Sequence, residues 1–228
     1  MQERTNPTHL VSTIFPSPHH ASLSNSPSTL EQRPSGLSGM PIGLMDYISD
    51  CEPSTGNPTI LAINIATSFK NAAAGSNVSL SLQWTPPYPP SSRIKNTRFP
   101  SFSSHNGKEA VPYSAANLPR FSLLGYLEKI EEGEEKAMGL RKCFMKAHPD
   151  ARYWLPGNRI HESEWVRLVV QDVYWIGGFG DRAYIGWIPV EEWKNVTGEE
   201  VESVRLPGEK KGWKEWSFEG LADWGLEL

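Results

Sequence analysis

PIGLMDYISDCEPSTGNPTILAINIATSFKNAAAGSNVSLSLQW, residues 41–84, is the stretch whose reading decides the fold. Two apolar, strand-like runs flank a Gly56-Asn57-Pro58 turn. A short polar-to-small segment, TSFKNAAAG, then leads into the alternating Val78, Leu80, Leu82 and Trp84. The order is strand, turn, strand, short helix, strand. Thr67, Ser68, Lys70 and Asn71 fall where a strand gives way to the helix. At such a place hydroxyls, an ammonium and free backbone N–H groups can converge on one anion. For a cofactor phosphate, Thr67 and Ser68 would donate hydroxyl hydrogen bonds, Lys70 would supply the charge, and amides near Asn71 would complete the cradle. The structural alternative is that Ser68 caps the helix while Lys70 is solvated in its first turn.

Outward from this stretch, the chain of 228 residues has room for one well-packed domain. It holds 22 basic and 26 acidic residues, a formal charge of −4, and the one block of like charge is EEGEE at 131–135. Nothing tracks a phosphate backbone, so nucleic acid is not an expected partner. No run approaches the roughly eighteen apolar residues of a spanning helix, so no membrane span is expected. Cys51 and Cys143 lack any CxxC or Cys/His ligand spacing, so neither a zinc site nor a disulfide framework is indicated. Two small hydrophobes are the simpler reading, with a single bridge in an oxidising compartment as the other.

The polar leader MQERTNPT (1–8) precedes a first strand, HLVSTIF (9–15). Surface loops rich in Ser and Pro are expected at 16–39, which holds the His19-His20 pair, and at 85–117. Adjacent His in such a loop, with no carboxylate or Cys to complete a shell, do not predict a metal site. Residues 131–148 read as one long helix with Ala137, Leu140, Phe144 and Ala147 on its core face. The longest strand is SEWVRLVVQDVYW (163–175). One parity carries Trp165, Arg167, Val169, Val173 and Trp175, the other Val166, Leu168, Val170 and Tyr174. Both faces are largely apolar, so both should be covered, one of them by a helix or by a second subunit. A homodimer follows from this. The tail at 206–228 holds Trp213, Trp216, Phe218 and Trp224 and is expected to pack on the barrel.

Three motif matches fail on context. Gly178, Gly180 and Ala183 satisfy the dinucleotide fingerprint, but a strand-like RAYIGWI (182–188) stands where a helix must begin, so a hairpin turn is expected there. His148-Pro149-Asp150 matches the tripeptide of J-domain cochaperones without their two long flanking helices. His161-Glu162 opens a zinc-protease motif, but Trp165 stands where the second His ligand belongs. No catalytic residues are expected from hydrolase motifs.

The order of elements in 41–84 resembles the pyridoxamine 5'-phosphate oxidase-like, FMN-binding split barrels, and within them the CREG family of secreted glycoproteins, in its fungal branch. The resemblance continues in PRFSLLGYLEKI (119–130), in 143–189, and in VEEWKNVT (190–197), and covers roughly two thirds of the chain. It implies a mainly β (α+β) fold: an antiparallel split β-barrel with a few flanking helices over 9–205, forming a homodimer. It also implies a leader and a helix ahead of the first strand, which MQERTNPT does not supply. Family members act by binding other proteins, with the flavin pocket commonly obstructed. The implied function is therefore protein or ligand binding with no more than a residual flavin site. The alternative is an FMN-dependent oxidoreductase or a haem-handling relative with its phosphate at Ser68 and Lys70. Lys70 matches the charge of the basic residue that precedes Asn in those relatives, but lacks the bidentate grip of their arginine. The implied location is the secretory pathway or outside the cell, and the cytoplasm otherwise. Asn195-Val-Thr197 is a complete sequon after a surface helix, whereas Asn77-Val-Ser79 opens a strand and is expected to be more shielded.

Overall fold

The computed structural model describes residues 9–17, 34–52, 54–83, 118–178 and 183–203. The expectations for the 1–8 leader, His19 and His20, the 85–117 loop and the 206–228 tail lie outside the described residues. The strands are β1 (His9–Ile14), β2 (Pro41–Leu44), β3 (Ile48–Ser49), β4 (Thr59–Ile63), β5 (Val78–Gln83), β6 (Arg120–Lys129), β7 (Ser163–Ile176) and β8 (Ile185–Ile188). The helices are α1 (Thr67–Ala73), α2 (Glu132–Met138), α3 (Leu140–Ala147), α4 (Val190–Asn195) and α5 (Gly198–Ser203), with a 3-10 turn at Pro149–Tyr153.

Every strand pair is antiparallel, in the order β2-β1-β5-β6-β7-β4-β3, with β8 also on β7. The apolar run before the Gly56-Asn57-Pro58 turn, read as one strand, is thus two, β2 and β3, which lie at opposite edges of the sheet and are separated by only three residues. Were the sheet flat, six spacings of about 4.8 Å would put its edges nearly 30 Å apart. The four steps from Leu44 to Ile48 reach about 14 Å. The sheet must therefore curl until its edges meet at a seam spanned by Met45, Asp46 and Tyr47. The expected antiparallel, curled barrel with a few helices is what the chain forms.

Inside the curl lies the main core: Val11, Ile48, Ile60, Ala62, Phe69, Val78, Leu80, Leu123, Val166, Leu168, Val170 and Val173. A bulge in β7 makes this face continuous. Leu124 pairs with Asp172 and Gly125 with Val170, leaving Gln171 as the extra residue. Because side chains alternate, one extra residue exchanges the faces. Val173 therefore joins Val166, Leu168 and Val170 inside, not Trp165, Arg167 and Val169. At the bulge a Cβ on Gly125 would stand 1.9 Å from the Val169 carbonyl oxygen, so the strands approach closely there because residue 125 has no side chain.

The outer face of the first half of β7 is covered by the chain itself. A second core joins Leu61 and Trp165 to Leu140, Phe144, Ile130, Ala151, Leu155 and Cys51, with the Phe144 and Trp165 rings 4.8 Å apart. Two-sided apolarity in this half of the strand is thus satisfied within one chain. The helix expected over 131–148 is two helices, α2 and α3, divided at Gly139, whose φ of 61° is a left-handed conformation that suits glycine. Leu140 and Phe144 are buried as expected, but Ala137 is exposed. Cys51 and Cys143 form a disulfide, which overturns the reading of two small hydrophobes. Sequence could not place them together, because their contact depends on α3 folding back over β4 and β7.

Candidate functional site at the barrel seam

Helix α1 leaves β4, packs on β1 and β2, and so crosses the seam. It starts from Ala66, in extended conformation and with no side-chain cap, so Ser68 does not serve as the cap. Ser68 is buried and its Oγ donates to Asp46 Oδ2 at 2.9 Å, tying the helix to the seam residues. Asn71 is fully buried, its Nδ2 donating to Thr13 Oγ1 on β1 at 3.1 Å. The Asn71 Oδ1 has no partner among the described residues. Thr67 and Lys70 are half-buried. Burial raises the Asp46 carboxyl above its ordinary range, and the Ser68 bond partly opposes this.

The structure therefore brings the four candidate residues onto one turn of helix, but commits two of them to the barrel wall. A phosphate at Ser68 would displace the Asp46 carboxylate or sit beside it, and like charges at that distance repel. The arrangement fits a flavin phosphate poorly.

Three further polar groupings follow, of which the sequence marked only His148-Pro149-Asp150, and that as a motif match that fails on context. Tyr47 Oη donates to Asp150 Oδ2 at 2.5 Å, and this bond holds the tyrosine above, and the carboxyl below, its ordinary range. His148 Nε2 lies 2.7 Å from the Ile48 carbonyl, to which it must donate. The His-Pro-Asp tripeptide is thus a fastening between the end of α3 and the seam. His9 is pushed below its usual value first by burial and then by the His148 charge. Arg167, on the covered face of β7, meets Glu52 at 2.9 Å, Glu128 at 3.0 Å and Glu134. Burial works against its charge, but the three carboxylates outweigh burial and raise its pKa. Only the apolar neighbours of Arg167 in sequence could have signalled its partly buried position. Among the described residues, no three His, Cys, Asp or Glu side chains cluster as metal ligands. No helix there is long and apolar enough to cross a membrane.

Both sequon asparagines are exposed, including Asn77, which corrects the expectation that it is shielded. Thr197 caps α5 in a reciprocal box. Its backbone N–H donates to Glu200 Oε2 at 2.8 Å, and its Oγ1 accepts the Glu200 N–H at 3.2 Å.

The family model described as CREG, beta-barrel, matches residues 19–195, well over half of the chain. The chain belongs to the CREG β-barrel family. No curated protein matches it. Among solved structures, a haem-binding protein from Mycobacterium smegmatis is similar at TM-score 0.50 and 17% identity, over 83% of this chain and 56% of that one. This CREG-family chain thus spans little more than half of the mycobacterial protein, and the likeness bears on the fold alone. The haem storage protein HutZ from Vibrio cholerae aligns at TM-score 0.44 and 13% identity, over 78% and 90% of the two chains. A putative pyridoxamine 5'-phosphate oxidase from Lactobacillus delbrueckii aligns at 0.34 and 12%, over 74% and 84%.

Proposed function

We propose that this CREG-family barrel acts by binding a protein or small ligand, without turning over a flavin. The observation that carries this reading is the Ser68–Asp46 bond across the seam, which puts a carboxylate where a cofactor phosphate would need a donor. Titration with FMN, followed by the flavin absorbance and fluorescence, is the test. No saturable change is expected for the wild type. Tight binding that Lys70→Ala weakens about tenfold or more, the range for losing a charge-assisted hydrogen bond, would overturn it.

A second reading, that the barrel holds haem or FMN, is favoured by the mycobacterial haem-binding protein of like fold. Haem titration, watched for a shifted and sharpened visible band, distinguishes it.

The proposal includes a homodimer. Beyond the β7 bulge the outer face has no helix over it among the described residues, and Leu10 and Trp187, in register with Tyr174 across the sheet, are exposed there. It also includes passage through the secretory pathway, with a glycan on Asn195, supported by the disulfide and the exposed sequon. Expression with a secretion leader and glycosidase treatment tests this: a mobility shift lost in Asn195→Gln is expected, and one lost in Asn77→Gln instead would contradict it. Placement in a fungal branch rests on the spelling of the matching segments alone.

A further inference from the structure

We propose that the Cys51–Cys143 bridge is a redox latch, whose reduction by a dithiol releases the α2–α3 cover from the barrel and opens the apolar face centred on Trp165. The cover and the barrel have separate cores. Leu140 and Phe144 of α3 pack on Leu61 and Trp165, whereas the interior of the curl is filled by a different set that includes Leu80, Leu123 and Leu168. The barrel can therefore persist while the cover moves.

Two fastenings hold the same segments together. The covalent one joins Cys143 of α3 to Cys51, just after β3, and Cys143 is half-exposed, within reach of a reductant. The ionic one begins at the next residue, Glu52, and runs through Arg167 to Glu134 of α2. Breaking the covalent link lets the segment that carries Glu52 move, so the ionic link weakens with it.

The covered face also carries a polar cost. Trp165 Nε1 and Thr59 Oγ1 are buried with no partner among the described residues, and both strands present these residues to the covered side. Such groups favour opening, because water would satisfy them. On reduction the disulfide takes up two electrons and two protons to become two thiols, and the dithiol gives them up to become a disulfide. The cover is left pivoting on the His148–Ile48 and Tyr47–Asp150 bonds at its far end.

Hydrogen exchange read by mass spectrometry, on the full chain with and without dithiothreitol and with thiol alkylation to count reduced cysteines, tests this. Both cysteines should become alkylated without denaturant, and amides of α2 and α3 should then exchange at least tenfold faster while those of β5 and β6 stay unchanged. Cys143→Ser should show the faster pattern without reductant and no further response to it. Thr59→Val, which removes an orphaned hydroxyl while keeping the shape, should slow the reduced-state exchange in α3. Cysteines that stay unreacted without denaturant would overturn the latch. So would reduction with no change in exchange, or equal acceleration in β5 and β6, or no slowing in Thr59→Val.

Discussion

At the scale of single residues, Asp46 and Gly125 show how much depends on one side chain or its absence. Burial raises the Asp46 carboxyl, so its contribution to stability is complete below the ordinary carboxylate value, about pH 4, and is lost as pH rises through the raised value. Asp46→Asn keeps an acceptor for Ser68 and cannot ionise. Its melting temperature should match or exceed that of the wild type at pH 7, with the difference vanishing below roughly pH 4. A variant markedly less stable at pH 7 would show that the seam needs the charge. Gly125→Ala forces a methyl onto the Val169 carbonyl and should cost about 3 kcal/mol or more, read as a lowered urea midpoint. The site was legible in sequence as a place but not as an arrangement. Thr67, Ser68, Lys70 and Asn71 do start a short helix after a strand. That Ser68 faces Asp46, twenty-two positions away in sequence, depends on how the sheet closes, and local pattern carries no record of that.

Among elements, α4 and β7 carry the lesson. Trp193 of α4 donates from Nε1 to the Gly56 carbonyl at 2.9 Å and rests on Phe121, so the VEEWKN helix is pinned to the turn before β4. Trp193→Ala should therefore destabilise by about 2 to 3 kcal/mol, less than for a fully buried Trp, again by urea denaturation. A change under about 0.5 kcal/mol would mean that α4 is not fastened there. Strands with strict alternation, such as Val78, Leu80 and Leu82 in β5, were readable because period two is a local signal. In β7 the same logic grouped Val173 and Trp175 in one parity with Trp165 and Arg167, since a bulge leaves no mark in hydrophobic pattern beyond the polar pair Gln171-Asp172. The break at Gly139 was available, as a glycine inside a helical run, and the helix pattern around it concealed it.

For the whole molecule, family and fold were legible because four strands and the helix that crosses the seam follow one another within 41–84, while the disulfide and the helix cover were not, because they join parts of the chain 92 positions apart. A bridge closing so long a loop restricts the unfolded chain by roughly 4 to 5 kcal/mol, so Cys51→Ser with Cys143→Ser should lower the melting temperature by several degrees or more. The outer face beyond the bulge, which no helix covers among the described residues, bears on assembly. Sedimentation at micromolar concentration should give a dimer, and Trp187→Glu a folded monomer; a wild-type monomer with its native fold intact would remove the dimer. The central claim, a CREG-family barrel that works without a flavin, is met most directly by native mass spectrometry of the protein purified from a flavin-sufficient host. The account predicts masses of the polypeptide and its glycans alone, as a dimer. A stoichiometric increment of one FMN per chain would contradict it.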